Sequence, residues 1–515
     1  MLGVQVCREA WSATALATPG SLRMTQTEHF ALAVAAVAAV GLAVIASNRL
    51  AARIRVPVPG LVLVGAAVAA TADPLLRPGE RTVQDLVTVA LVAVLFSGGL
   101  GIGWARVRAS VGPIVVIGIV GTFLTAAAGT VAVRVLTGVG WYGALLTATA
   151  VAPTDPAVVF SVLGNRLVPG RSGDILEGEA GANDPVGIAL MASLVAAGGI
   201  SASGAGQAAW HFAIELGVGA AVGVAGGRLL LSAIRRLPLP GEGLYPLRTL
   251  AGALLLYGVA GAVGGSGFLA VFIAGVVLGD ERAPFKREIE RFHDALASLG
   301  EIVAFVALGL TVDLHVLARV GVWAPGIAFA LVLAAVIRPL AVGPLLARVR
   351  LAANERAFVV FAGLKGAVPV LLGGYLLAAR VPQERRLYGI VVVVVVVSVF
   401  LQGGLVDAFT RWVRLPVRTV EPEPWSLGVR LRHDPDGVTR LTVAPGAPVE
   451  GQRVDALPDF PPGAWITLLV RSGRLQPVRG DTVLRAGDAV TVIAGEDDEG
   501  ALRHAFERAP GPPPA

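Results

Sequence analysis

Three polar side chains that can bind cations through oxygen interrupt apolar stretches of this 515-residue chain. Asp155 lies in VAPTDPAVV, and Asn183 and Asp184 lie in GEAGANDPVGIALM. A charged side chain at the centre of a bilayer costs about 2.5–3.5 kcal/mol, so such residues are usually functional. Carboxylate oxygens bind hard cations, and two neighbouring buried carboxylates resist being ionised together. Such a pair can hold a proton or a metal ion in turn, which is the chemistry of an exchanger.

The composition indicates that these residues lie within a membrane protein. The mean hydropathy is +0.73, 55% of the residues are hydrophobic and 15% are charged. Apolar runs recur from His29 to about Arg411, and they do not alternate as the strands of a membrane barrel would. We predict an all-α polytopic fold of about thirteen transmembrane helices. The predicted spans are residues 30–48, 58–72, 84–103, 111–136, 140–163, 183–199, 210–234, 247–264, 266–280, 296–312, 322–347, 357–379 and 387–410.

The fifth span carries two prolines at its centre. Pro153 and Pro156 flank Thr154 and Asp155. Proline inside a helix removes a hydrogen bond and clashes with the preceding turn, so this span is predicted to unwind. Free carbonyls at membrane depth are tolerated where they line a cavity or are covered by protein. The alternative is a helix start capped by Thr or Asp. A helix that starts in the middle of a span also means that the span is a broken helix.

The twelfth span is interrupted in a similar way. In FAGLKGAVPVLLGG, Lys365 stands between Gly363 and Gly366, and Pro369 follows. If spans 1–6 and 8–13 form two halves, the fifth span of each half is interrupted. Such correspondence predicts a transporter built from inverted repeats. Arg338, in AAVIRPLAV, is another charge inside a span and should have an acidic partner.

Other charged residues allow two interpretations. The NDP sequence ending at Pro185 can be a helix start, with Asp184 at the favourable end of the helix dipole. Glu301, in LGEIVAFVALGL, can line the ion path or bond to broken backbone. His293 beside Asp294 is interpreted as a loop pair, and the alternative is a pH sensor. The six histidines show no metal-like spacing.

Arginines concentrate in alternate loops, which predicts an outer N-terminus and a cytoplasmic tail after Arg411. The protein is therefore expected in the cytoplasmic (inner) membrane, surrounded by lipid. The pI near 10 follows from this topology, so no nucleic-acid partner is expected. Residues 1–27 form an N-terminal segment in which Met24 is an alternative start. The single cysteine excludes an intrachain disulfide, and no cofactor is expected.

The tail differs in composition from the rest of the chain. Residues 413–430 are predicted to be a Pro-containing linker, and residues 431–515 a small cytoplasmic α+β domain of short strands, turns and a closing helix. Leu441 to Glu496 resembles the TrkA-C type of regulatory domain; the alternative is a generic β-rich domain. No G-x-G-x-x-G fingerprint follows a strand, so the usual nucleotide-binding partner domain is absent from this sequence. A small anionic ligand, such as a nucleotide, is the expected partner of the tail.

The combined motifs TDP, GE-x-x-x-ND, Arg338 and GLKGAVP resemble the first cation:proton antiporter family. This family contains the NhaP-type bacterial antiporters and the animal Na+/H+ exchangers, and the resemblance covers residues 28–412. It implies an inverted-repeat fold and a homodimer. It also implies that a core bundle moves elevator-fashion against a dimerisation domain.

The resemblance also implies site roles. It assigns Thr154, through its backbone oxygen, Asp155 and Asp184 as cation ligands, with Asn183 orienting the site. Asn183 in place of a second acid goes with electroneutral exchange. Many relatives have Ser where this chain has Ala180, so one cation oxygen is lost here.

Outside the ligands, the resemblance implies a structural pair between Glu179 and Arg338, and it places Lys365 where relatives more often have Arg. Lys365, like Glu301, is a candidate for the ion pathway. The sequence therefore predicts an antiporter of H+ against K+ or Na+; Lys365 and the TrkA-C-like tail favour K+, and Na+ stays open. The alternative is a regulated potassium channel or uniporter, although the chain contains no T-V-G-Y-G filter. A membrane enzyme would need a Ser/His or metal cluster, which the sequence does not show.

Overall fold

A computed structural model describes residues 57–419, except 164–165, 169–170, 200, 282, 320 and 380, and residues 438–506, except 458–459, 462, 472–473 and 495–497. Of residues 1–56 it describes only 35, 41, 42, 44 and 46. The predicted N-terminal segment and most of the first span therefore lie outside the described residues, as does most of the linker. The chain divides into two compact units, Met1–Glu421 and Pro422–Ala515.

The first unit is helical. Its helices are α1 (Val58–Ala72), α2 (Glu80–Val115), α3 (Thr122–Thr137), α4 (Trp141–Ala150), α5 (Pro156–Leu163), α6 (Arg171–Ala197), α7 (Ala202–Arg236), α8 (Leu244–Ala262), α9 (Gly267–Gly279), α10 (Lys286–Leu310), α11 (Leu314–Arg319), α12 (Trp323–Val332), α13 (Arg338–Ala347), α14 (Ala353–Phe361), α15 (Ala367–Ala378), α16 (Glu384–Val397) and α17 (Gly403–Trp412).

Eight segments of the described chain are long and apolar enough to cross a membrane. Two shorter apolar helices, α1 and α9, and two interrupted pairs, α4–α5 and α14–α15, account for the other predicted spans except the first. The expectation of a polytopic helical fold with broken helices is thus confirmed.

Irregular turns occur at matching places in the two predicted halves. A π-helical turn at Val116–Gly121 interrupts the fourth span, and another at Leu333–Ile337 interrupts the eleventh. A third, at Ser398–Gln402, lies in the last span. The π-helical turns of the fourth and eleventh spans, together with the two interrupted fifth spans, indicate that the two halves share an architecture. Such turns are rare and often lie at functional sites.

Helix α6 begins much earlier than the sequence indicated. Its first residue is Arg171 rather than a residue near 183, so Asp184 lies inside a helix and not at its start. Gly178 and Gly181 look like loop residues, but a Cβ at either would overlap Ile114 or Phe272 of neighbouring helices. Small residues allow membrane helices to approach closely, which explains why this glycine-rich stretch is helical.

The interpretation of His293 as part of a loop pair is also wrong. His293 is fully buried within α10, and its Nε2 lies 2.8 Å from Thr249 Oγ1 of α8. The Thr249 hydroxyl donates to Pro246 O, so it accepts from His293 Nε2–H. This bond requires a proton on Nε2 and fixes the orientation of the ring between α8 and α10. The predicted span near 296 begins earlier, at Lys286.

A pair of short strands joins the end of the first unit to the loop between α5 and α6. Strand β1 (Arg166–Leu167) follows α5, and β2 (Arg418–Thr419) follows α17. The two strands are antiparallel, with Arg166 opposite Thr419 and Leu167 opposite Arg418. Asn354 Nδ2 also donates to Arg414 O, at 3.2 Å. The chain after the last span is therefore bonded to segments that adjoin both interrupted helices.

The second unit is a small α+β domain, as predicted. An antiparallel sheet has the strand order β3 (Val438–Thr442), β6 (Ala489–Ile493), β4 (Trp465–Arg471) and β5 (Arg474–Gln476), and α18 (Glu499–Phe506) follows. Arg471 forms a bidentate bond to Asp488, at 2.8 and 2.7 Å. Burial raises the pKa of Asp488, but these bonds outweigh burial and leave the pKa below its usual value.

Candidate functional site

Two unwound segments cross at the centre of the helical unit. One joins α4 to α5 and contains Asp155; the other joins α14 to α15 and contains Leu364. The Asp155 backbone N–H donates to Leu364 O at 2.8 Å. A Cβ at Gly366 would overlap the Asp155 carboxylate, so only glycine permits this approach. The prolines and glycines that interrupt the apolar runs thus create one shared crossing.

Lys365 stabilises the crossing. Its buried ammonium donates to Ala152 O and Pro153 O, both at 3.0 Å. These carbonyls belong to the segment that the prolines unwind, where a regular helix would have bonded them internally. Lys365 of the second half therefore satisfies the backbone of the first half. These two bonds place its side chain at the crossing.

Glu179 and Arg338 form a buried bidentate pair next to the crossing. Arg338 Nη1 lies 2.9 Å from Glu179 Oε1, and Nη2 lies 3.1 Å from Oε2. Both side chains are at most 6% exposed. Arg338 also donates to Val360 O and Val359 O, at 2.9 and 3.2 Å, near the end of α14. The pair connects α6 and α13 to the second interrupted helix.

A polar chain runs from this pair to the carboxylates. Thr154 Oγ1 donates to Glu179 Oε1 at 3.3 Å, and Asn183 Nδ2 donates to Thr154 Oγ1 at 2.7 Å. Among the residues that the structure describes, Asn183 Oδ1 and Asp184 Oδ1 are buried and have no hydrogen-bond partner. The two oxygens belong to consecutive residues of α6.

The structure brings Asp155 within electrostatic range of two other carboxylates. Asp155 acts on Asp184, and Asp155 also acts on Glu301 of α10. The Lys365 charge acts on Asp184 with the opposite sign. Within the described chain, no three His, Cys, Asp or Glu side chains converge as a resident metal site would require. The donors at the crossing are carboxylate, amide and hydroxyl oxygens, which suit Na+ or K+.

Two residues at the crossing were missed by sequence reasoning. Ser398 Oγ accepts from Lys365 N–H at 3.0 Å and donates to Gln402 Oε1 at 3.1 Å. Gln402 Nε2 donates to Phe361 O at 2.6 Å, which caps the end of α14. A signal was present: these are the two polar residues, four apart, of the apolar run VVVVVVVSVFLQ.

A membrane bundle in which carboxylates meet two crossed, interrupted helices defines an ion-transport protein. Residues 35–412 match the family described as sodium/hydrogen exchanger, transmembrane, and residues 438–507 match the TrkA-C domain. The chain belongs to the sodium/hydrogen exchanger family of cation:proton antiporters, and it carries a TrkA-C domain. This family consists of transporters, not of enzymes.

Three relatives with similar sequences are named as antiporters. The K(+)/H(+) antiporter NhaP of Alkalimonas amylolytica is 31% identical over 428 residues, which cover 79% of this chain and 71% of the relative. The K(+)/H(+) antiporter NhaP2 of Shewanella oneidensis is 30% identical over 450 residues, covering 84% and 76%. The Na(+)/H(+) antiporter NhaH of Halobacillus dabanensis is 26% identical over 333 residues, covering 61% and 81%.

A solved structure has the same fold. The sodium proton antiporter MjNhaP1 from Methanocaldococcus jannaschii, at pH 8, superposes with a TM-score of 0.61 and 21% identity. The match covers 72% of this chain and 99% of that one.

Proposed function

We propose that this protein exchanges H+ for a monovalent cation across the cytoplasmic membrane at a site formed by Asp155 and Asp184. The observation that supports the proposal best is the pair of buried oxygens without a hydrogen-bond partner, Asn183 Oδ1 and Asp184 Oδ1, next to the crossing. A buried carboxylate oxygen without a partner is costly unless it receives a proton or a cation. The site therefore favours occupation by one or the other.

The exchange follows from competition for the same oxygens. A proton on Asp184 removes the charge that the cation needs, and a bound cation excludes the proton. Thr154 contributes a backbone oxygen, and Asn183, held by its bond to Thr154, orients the site. Each occupant brings one positive charge, so we propose electroneutral exchange. Alternating access moves the core bundle past its partner bundle in a homodimer embedded in lipid.

K+ is the proposed cation. Two relatives of about 30% identity are named K(+)/H(+) antiporters, and the TrkA-C domain is of a type found on potassium transporters. Na+ is the competing candidate, because a less similar relative and the solved structure are named sodium antiporters.

The tail domain is proposed to be a cytoplasmic regulatory domain that binds a small anionic ligand, such as a nucleotide. The TrkA-C match and the positive-inside bias support this placement. The proposed boundaries stay as the sequence indicated, with a transport domain at 28–412, a linker at 413–430 and the regulatory domain at 431–515.

Everted membrane vesicles test the function. A pH-sensitive dye reports acidification driven by respiration, and K+, Na+ and Li+ are then added in turn at equal ionic strength. K+-dependent dequenching is expected, with weaker responses to Na+ and Li+. Vesicles that contain well-expressed protein but respond to none of these cations would overturn the proposal, and a response to Na+ alone would replace K+ as the substrate.

A further inference from the structure

We propose that Glu301 is an affinity-setting carboxylate, which attracts the cation to Asp155 when ionised and weakens cation binding when protonated. This inference rests on the proposed exchange at Asp155 and Asp184. It assigns to Glu301 a role that is distinct from carrying the exchanged proton.

Glu301 lies on a helix that belongs to neither interrupted pair. This helix, α10, packs chiefly against α2 and α1 and has smaller contacts with α8 and α15. Asp155 and Asp184 come instead from the α4–α5 pair and α6, which contact each other and α15. The Glu301 carboxylate nevertheless acts electrostatically on Asp155. The charge of Glu301 therefore acts at the crossing, although α10 is not part of the crossing.

The burial and bonding of the Glu301 carboxylate favour a role in ion binding. Glu301 Oε1 is buried, and no hydrogen-bond partner for it occurs in the described part of the chain. A glutamate that only stabilised broken backbone would use this oxygen to accept an N–H. A buried, unbonded carboxylate oxygen instead gains most from a proton or a nearby cation.

The surroundings of Glu301 leave Asp155 as its main charged neighbour. Helix α1 carries no titratable side chain. Asp85 of α2 and Tyr375 of α15 act on Tyr257 of α8. Within the described residues, Asp155 is the charged group that acts on Glu301.

A pH signature follows from this arrangement. Like charges on Asp155 and Glu301 oppose each other, and a cation beside Asp155 relieves the repulsion. Competition at Asp184 alone makes log KM for the cation fall with pH with a slope of about −1. Titration of Glu301 adds to that dependence, so the wild-type slope should be steeper than −1 over the range in which Glu301 loses its proton.

Three variants test the role in vesicles across a pH series. Glu301→Gln keeps the shape and removes the titration; we expect KM to rise about tenfold at alkaline pH, equivalent to about 1.4 kcal/mol, with maximal rate retained and the slope reduced to about −1. Glu301→Asp keeps a carboxyl and should keep the steeper slope. Glu215→Gln removes another membrane carboxyl, on α7, and is the matched control.

The outcomes separate the two proposals. Wild-type vesicles without any cation response would defeat the exchange itself. Wild-type exchange with an unchanged KM and slope in Glu301→Gln would overturn the role of Glu301 alone, as would a loss of maximal rate or melting temperature with the slope preserved. If Glu301→Gln does not accumulate in the membrane, the Asp variant decides, and a slope of about −1 in that variant overturns the proposal.

Discussion

The Lys365 ammonium lies 3.0 Å from Pro153 O, so a side chain of one interrupted helix bonds to the backbone of the other. The two halves of the fold therefore meet through a charge-assisted hydrogen bond as well as through packing. Such bonds are stronger than those between neutral groups, which suits a junction that has lost its helical hydrogen bonds.

Replacement of Lys365 should loosen this junction. Lys365→Met strands the Ala152 and Pro153 carbonyls, and each buried unsatisfied group costs about 1–3 kcal/mol. We expect a lower melting temperature in detergent and reduced exchange. Lys365→Arg should recover part of both, because it keeps a donor, and Arg350→Met, at an exposed position, is the control. Equal melting temperatures for Lys365→Met and wild type would show that these bonds do not support the crossing.

Glu179 and Arg338 should show strong coupling. Neutralising one of them strands the other buried charge, at a cost of about 3–5 kcal/mol. Glu179→Gln and Arg338→Met should each lower protein yield or melting temperature. The double variant should recover much of the loss because no charge is stranded. Additive effects in this double-mutant cycle would contradict the coupling.

Neutralising the site carboxylates should stop exchange. Asp184→Asn removes the group for which both ions compete, so cation-dependent proton movement should disappear. Asp155→Asn should have the same effect or should raise the cation KM greatly. Asp174→Asn, near the start of the same helix as Asp184, is the control for expression and insertion. Wild-type rates in a well-expressed Asp184→Asn variant would refute the shared site.

Exchange should depend on pH along a bell-shaped curve. At low pH the proton holds Asp184 and excludes the cation, whereas at high pH protons are too scarce for the return step. Initial rates measured at fixed cation concentration should therefore fall on both sides of an optimum. A rate that stays flat over about four pH units would count against direct competition at one carboxylate.

Two truncations should distinguish the effect of the tail domain on exchange from the effect of the β1–β2 pairing that precedes it. A chain ending after Thr419 keeps β2, and we expect exchange with a changed cation affinity or pH optimum. A chain ending after Val413 also loses β2 and should deviate further, since α5 and α6 are then joined by an unpaired loop. Kinetics identical to wild type in both would make the tail a passive appendage. A correctly inserted but inactive chain ending at Thr419 would show that transport itself needs the domain.

The sequence predicted those features of the candidate site that are unfavourable inside a membrane. Charges and prolines are so unfavourable inside apolar spans that Asp155, Asp184 and the two interruptions are conspicuous without a structure. The need of Arg338 for an acidic partner followed from the same cost.

Other parts depend on neighbours that a linear pattern does not reveal. The glycines before Asp184 resemble a loop until Ile114 and Phe272 are seen against them. Ser398 and Gln402 gain their meaning only because α14 ends beside them. The carbonyl partners of Lys365 come from the other half of the chain, so the motif around Lys365 does not reveal them.

The pairing of β1 with β2 also has a consequence for biosynthesis. Most of the membrane domain is synthesised between the two strands, and a contact this distant in sequence forms late. The strand in the connection between α5 and α6 therefore gains its partner only after the last helix has left the ribosome. Pairing of this connection, which follows the helix after Asp155, can therefore occur only when the whole transport domain has been synthesised.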